Sequence, residues 1–345
     1  MTRRELLLTA AVAPTVSGEM VMTVRGPVRA AELGLCLPHE HLFSIFGEEP
    51  AERAEYDVPR LMGEVSRYVN SLRFLGCRAI ADGTTAWFGR DAALLRRVSI
   101  ATGVHVLTNT GYYGAANGRY VPRSAREESA SQIAARWVSE YTGGIDGTGI
   151  KPGFMKLGVD AGPLSAIDGK LFEAACLAHR ETGLLITVHT GDAAEAAGRQ
   201  LEMLRKHGIR TEAWAWIHAN NCKDEAALKS AAGEGAWLSF DGIAPESVER
   251  HLALVGMMRS MGRLKQVLLS HDGNSFRAGG RPMKPYSGLF THFIPALRDA
   301  KYTEAEIRLM TVENPARALT IGKRLLQTAK DPAACERQGL RLRDS

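Results

Sequence analysis

Eight short apolar runs recur along this 345-residue chain, and they constrain its fold more than any other feature. They read LGLCLPH (33–39), RAIADGTT (78–85), VHVLTNT (104–110), GFMKLGV (153–159), LLITVHT (184–190), AWIHAN (215–220), AWLSFDG (236–242) and QVLLSHD (266–272). They are nearly continuous in apolar character rather than alternating, as parallel strands covered on both faces are. Helical patterns lie between them. Eight strands alternating with helices over roughly 250–300 residues predict a single-domain (β/α)8 TIM barrel. A doubly wound open sheet is the alternative. It wants a glycine-rich phosphate loop after a strand, whereas GTGIKPG (147–153) precedes one and reads as an ordinary loop.

The helices have their own signatures. Leu61, Val65, Val69, Leu72 and Leu75 repeat at helical spacing. Ser124 with Glu127 has the spacing of a capping box, and Gly143-Gly144 is a stop signal. The segment 168–183 is expected to start at an Asp168 cap and to end in Gly183.

The polar residues that end the apolar runs carry the chemistry. The first run leads into LPHEHLF, in which His39 and His41 are two residues apart. On a strand both imidazoles point to one face and Glu40 to the other. Lys156 lies in the fourth run, His189 ends the fifth, His218 the sixth and Asp272 the eighth. In a barrel all of these stand at the C-terminal mouth, where such enzymes react. Each has an ordinary reading: a satisfied core histidine, a salt-bridged lysine, a helix-capping aspartate. Taken together the ordinary readings fail on energy. Burying unpartnered polar groups costs roughly 1–3 kcal/mol each. Six of them would use up much of a typical stability of about 5–15 kcal/mol. A metal site accounts for all six at once. Lys156 is the odd member, since an ammonium has no lone pair to donate. Burial beside cations favours its neutral amine, and a neutral amine can add CO2 to become an anionic carbamate; spacing leaves that step open. His271 neighbours Asp272 and should face away from the metals.

Other classes find less support. The formal charge of +5 is spread among acidic residues without a long basic run, so nucleic acid is not an expected partner. No apolar run reaches membrane-spanning length. The cysteines at 36, 77, 176, 222 and 335 form no CxxC pair, and their odd number argues against a disulfide framework. Residues 1–20 carry Arg3-Arg4, an apolar run and then small residues. They read either as a twin-arginine export signal, which would make the protein periplasmic, or as a disordered extension of a cytoplasmic one. Residues 326–345 read as a tail.

The order HxH, Lys, His, His, Asp resembles the amidohydrolase superfamily. VRGPVRAAELGLCLPHEHLF (24–43), ADGTT, TGYY and ENPARAL (313–319) narrow the resemblance to the phosphotriesterase family, over residues 21–325. The resemblance implies a hydrolase with two divalent metals. Zn is the first expectation, with Co, Mn or Ni as alternatives. His39, His41 and Asp272 would hold the buried metal and His189 and His218 the more exposed one. Carboxylated Lys156 would bridge the two together with a hydroxide, and Asp272 would take a proton from the attacking water. Dihydroorotases and hydantoinases share this ligand set but usually add a β-sandwich, for which the chain ends here are too short. A homodimer is expected from the family alone.

The expected substrate is a small lactone or ester, with phosphotriesters as a further class. Alternatives are a catalytically silent binding protein, or an amidase or phosphodiesterase with the same site. The last loop, GNSFRAGGRPMKPYSG (273–288), holds Arg277, Arg281, Lys284 and Tyr286. It reads as an anion-binding lid or as a solvated loop. Tyr112 and Tyr113 read as pocket-lining residues or as core packing. Asn220, Asn221 and Cys222 are expected to shape the rim.

Overall fold

The computed structural model describes residues 19–326. The signal-like segment, the tail beyond Leu326 and Cys335 lie outside them. Two segments, β1 (Met20–Thr23) and β2 (Gly26–Arg29), form an antiparallel hairpin. Nine parallel-paired segments follow the predicted rhythm: β3 (Cys36–Ser44), β4 (Ala79–Asp82), β5 (His105–Leu107), β6 (Asn109–Thr110), β7 (Phe154–Gly158), β8 (Ile186–His189), β9 (Trp214–Ile217), β10 (Trp237–Phe240) and β11 (Val267–Leu269). All eight apolar runs are strands; the third is interrupted at Thr108 into β5 and β6. A further short strand, β12 (Asn274–Arg277), comes from the last loop.

Pairing divides them into two parallel sheets, ordered β11-β10-β9-β8-β7-β6 and β12-β3-β4-β5. Main-chain bonds cross between the sheets next to β3, from Asp272 N to His39 O (3.2 Å) and from His41 N to Gly273 O (2.8 Å). Around the sheets run α1 (Val58–Phe74), α2 (Ala92–Thr102), α3 (Arg123–Glu127), α4 (Ala130–Gly143), α5 (Ala166–Thr182), α6 (Ala194–Lys206), α7 (Glu225–Glu234), α8 (Val248–Ser260), α9 (Ile294–Asp299), α10 (Glu304–Arg308) and α11 (Asn314–Leu319). The fold is α/β, with parallel sheets covered by helices. Among the described residues no helix is long and apolar enough to cross a membrane.

The helices pack on the sheets through one large apolar cluster, and a second, smaller cluster includes Val21, Leu33, Ala79, Leu107, Ala215 and Leu268. Leu61, Val65, Val69 and Leu72 of α1 are buried, each worth about 1.5–3 kcal/mol for leaving water. Leu75 is not: it follows the helix, where the backbone has turned and left it 45% exposed. The capping box also moves. Ser124 lies inside the short α3, which has no side-chain cap, and Glu128 is extended. The reciprocal pair is Ser129 with Gln132, at the start of α4. Likewise Ser165, not Asp168, caps α5; Asp168 sits one turn in and accepts the Ser165 hydroxyl at 2.6 Å. In both places a serine three residues ahead of a polar side chain offers a nearer acceptor to the free N–H groups. Gly183 ends α5 in the left-handed conformation, as expected. The four described cysteines are buried and unpaired.

Candidate metal centre

The last residues of β3 sort their side chains to opposite sides. His39 and His41 face the mouth, and Asp272 reaches the same point from the end of β11. Its Oδ1 lies 3.3 Å from His41 Nε2 and 3.7 Å from His39 Nε2. Three donor atoms thus converge with no hydrogen atom obliged to lie between them. His189 and His218, from β8 and β9, stand side by side with ring centroids 4.5 Å apart, and His218 is 5.1 Å from His39. Lys156 of β7 is buried, and its Nζ has one long contact, 3.4 Å to Leu157 O. His39, His41, Lys156, His189 and Asp272 line one cavity of about 190 Å³. All six expected residues therefore come together at one site.

Local chemistry favours metal ligands over a salt-bridge cluster. His39 is 2% exposed, and neither of its ring nitrogens has a hydrogen-bond partner. For His41 the tautomer follows from its neighbour. The Thr84 hydroxyl donates to Phe43 O at 3.0 Å, so it accepts from His41 Nδ1 at 2.8 Å. That leaves the His41 Nε2 lone pair facing the site. Gly83 keeps the space open: a β-carbon there would come within 3.0 Å of His39 Cδ2 and 3.3 Å of His39 Nε2. Gly111, at φ +131°, lets the backbone approach Lys156 so closely that a β-carbon would lie 2.1 Å from its carbonyl oxygen. His218 and Asp272 hold left-handed φ values of 63° and 54°, a conformation that is costly for non-glycine residues and recurs at functional sites.

The charges agree. Burial lowers all three rings below the ordinary histidine range, helped by the cationic Lys156 at His39, by the imidazole of His218 and then Lys156 at His189, and by His39 and Lys156 at His218, which falls to about 4. These rings are neutral at pH 7 and can donate a lone pair. Burial pushes Lys156 down to about 8, against the pull of Asp272 and Asp241. Burial alone would raise Asp272, but contacts with His41, His218 and His39 hold it well below the carboxylate range.

The remaining expectations divide. Tyr113 lines the cavity with Phe46 and Phe88, stacking on Phe88 at 5.1 Å. Tyr112 does not; it turns into the core against Trp137, because neighbouring residues on an extended chain face opposite ways. Arg277 and Lys284 line the cavity. β12 pairs with β3 through Asn274 and His41, and Lys284 folds back on Asn274, which brings its Nζ to 2.8 Å from Asp272 Oδ2. Arg281 is exposed and points to Glu48 at 3.6 Å, away from the cavity. Tyr286 is buried, bonded to Ser275 and edge-on to Tyr68, and takes no part in a lid. His271 faces away as expected, its Nδ1 bonded to Glu40 at 2.6 Å.

Sequence reasoning missed Asp241, just beyond β10. It is fully buried, and its Oδ2 accepts from His218 N at 2.9 Å. The only signal was an acidic residue ending the seventh apolar run, FDG, at the same position in the rhythm as Asp272 in HDG. Asn220, expected at the rim, accepts from Asp241 N at 2.8 Å and so supports this corner.

Comparison with known proteins places the chain among relatives of one family. A relative from Escherichia coli, named phosphotriesterase homology protein, is 30% identical over 82% of this chain and 97% of its own length. The N-acetyltaurine hydrolase of Xenopus tropicalis is 24% identical over 89% of this chain and 99% of its own. The structure of a mutant phosphotriesterase-like lactonase from Deinococcus radiodurans superposes with a TM-score of 0.76 at 28% identity, covering 88% of this chain and 100% of that one. The family model of the phosphotriesterases matches residues 19–319, so this chain belongs to the phosphotriesterase family.

Proposed function

We propose that the protein is a hydrolase that works with two divalent metals and acts on a small lactone or ester, with phosphotriesters as a secondary class. One observation carries the reading: a buried imidazole, His39, whose Nε2 has no hydrogen-bond partner, stands with four more groups lining one cavity. Bound there, two metals would polarise the substrate's carbonyl and make water acidic enough to attack near neutral pH. His39, His41 and Asp272 would hold one and His189 and His218 the other, with zinc the first choice for such donors. Lys156, in its neutral form, would add CO2: an N–C bond forms, one proton leaves, and the carbamate oxygens would be available as metal donors.

The other residues bind and orient. Asp272 would accept the proton released from the attacking water, its carboxylate held ionised by the contacts with His41, His218 and His39, and Lys284 Nζ stands 2.8 Å from its Oδ2. Phe46, Phe88 and Tyr113 form an apolar wall, and Arg277 with Lys284 a cationic one. The preferred substrate therefore has a small apolar part and an anionic end. At about 190 Å³ the cavity is below the roughly 300–1,000 Å³ of drug-sized pockets, which disfavours bulky triesters. We also take the two sheets as one closed eight-stranded barrel, supported by the main-chain bonds beside β3 and by β5 and β6 being one interrupted strand. Amide hydrolysis is the second reading, favoured by the N-acetyltaurine hydrolase relative.

The test is to purify the chain without chelator, supply bicarbonate, and count metals by elemental mass spectrometry. A panel of lactones, esters, N-acyl amino sulfonates and phosphotriesters follows. Two metals per chain with lactone or ester turnover is the expected result. No metal after reconstitution would overturn the reading, and turnover confined to the N-acyl compounds would replace it with the second.

A further inference from the structure

Asp241 lies outside the six residues assigned to the metals, yet it is as deeply buried as any of them. Its carboxylate cannot swing. Oδ1 accepts from Ser239 Oγ at 2.9 Å, the backbone N donates to Asn220 Oδ1 at 2.8 Å, and the backbone O lies 2.9 Å from His251 Nε2. That leaves Oδ2 facing the site. It accepts from His218 N at 2.9 Å, and it lies 3.4 Å from His218 Nδ1 and 3.5 Å from His39 Nδ1. One oxygen therefore looks at the Nδ1 atoms of two imidazoles, which come from β9 and β3 and belong to different halves of the centre.

A fixed carboxylate oxygen attracts an N–H and repels a lone pair. Both rings are thereby biased to carry their proton on Nδ1, which frees Nε2 to donate. Thr84 does the same for His41. The distances to the two rings are long for hydrogen bonds, and such contacts commonly tighten once the site is filled. We propose that Asp241 is a positioning residue that spans both halves of the metal centre, setting the tautomer of His39 for one metal and of His218 for the other. The proposal rests on the two-metal reading above. Its consequence is coupling: disturbing Asp241 weakens both metals together, whereas losing a ligand such as His189 weakens chiefly one. A rival arrangement exists, because His39, His218 and Asp241 could themselves surround one ion, their ligand atoms lying within 4.8 Å of one another.

The full chain would be compared with its D241A and D241N variants. Nitrogen-15 NMR of labelled imidazoles in the metal-free protein reads the tautomers of His39 and His218. Zinc titration against a competing chelator reads each affinity. The expected result is Nδ1–H on both rings in the unaltered protein and a mixture of tautomers in D241A. Both zinc affinities should fall together by about 10–100-fold. D241N keeps an oxygen acceptor and its shape, so it should fall less, and it carries the test if D241A fails to fold. Unchanged tautomers in the variants, loss of one zinc with the other intact, or Nδ1 unprotonated in the unaltered protein would overturn the proposal. The last result is the signature of the rival arrangement. If the unaltered protein binds no zinc, the two-metal reading fails, while the tautomer measurement still decides what Asp241 does to the rings.

Discussion

The two sides of β3 use the same chemistry for opposite ends. On the outer side, Glu40 is fully buried and every oxygen is occupied: Ser270 Oγ, His271 N and His271 Nδ1 on one, Gly273 N on the other. The far nitrogen of His271 accepts from Leu289 N at 2.9 Å, so that ring is satisfied as well. On the inner side, one residue along the chain, His39 is just as buried and has no hydrogen-bond partner on either nitrogen. Burial does not separate structure from function here. Satisfaction separates these two: Glu40 has its bonds made and ties segments of the scaffold together, whereas His39 keeps ring nitrogen capacity free at a point where other donor atoms converge.

The comparison can be broken first at Lys156. Lys156→Ala should lower kcat on the order of 10³-fold or more and take the metal count below two, with far-UV circular dichroism unchanged. Retained activity would remove Lys156 from the mechanism. Glu40→Ala should behave in the opposite way. It strands His271, Ser270 and two backbone groups, and should cost about 3–5 kcal/mol in urea unfolding. A stable Glu40→Ala protein that had lost its metals would mean the two sides had been misassigned.

Proton titration sharpens the contrast with a smaller effect. Buried His218 does not take a proton until about pH 4 in the folded protein, whereas the unfolded chain takes it near pH 6.5. His39 and His189 shift in the same direction. Their contribution to stability is complete above about pH 6.5 and is lost as pH falls toward 4. The urea midpoint of the metal-free protein should therefore decline across that window, and a flat profile would mean the imidazoles are not held neutral. The smallest effect belongs to the loop. Lys284→Met should raise KM roughly tenfold for carboxylate-bearing substrates, the worth of about 1.5 kcal/mol for one charge-assisted bond, and leave neutral ones little changed. Arg281→Met, which alters a residue pointing to Glu48, should leave KM unaltered for both.

Much of this was legible in the chain itself. Strand period and apolar character determine where β3 to β11 lie, and they also separate His39 and His41 from Glu40, because a side chain's face on a strand is a local property. The six candidate residues could be read because each lies within or at the end of an apolar run. Other features needed the tertiary structure. Asp241 ends such a run too, but its meaning depends on two rings brought to it from β3 and β9. Arg277, Arg281 and Lys284 look alike in one polar loop; the pairing of β12 with β3 turns two of them inward and leaves the third in solvent. The helix starts shifted for the same reason, since a serine is a cap only where the backbone leaves its neighbours' N–H groups free. Periodicity is written residue by residue, whereas the partner of a polar group is set by whichever distant segment packs against it.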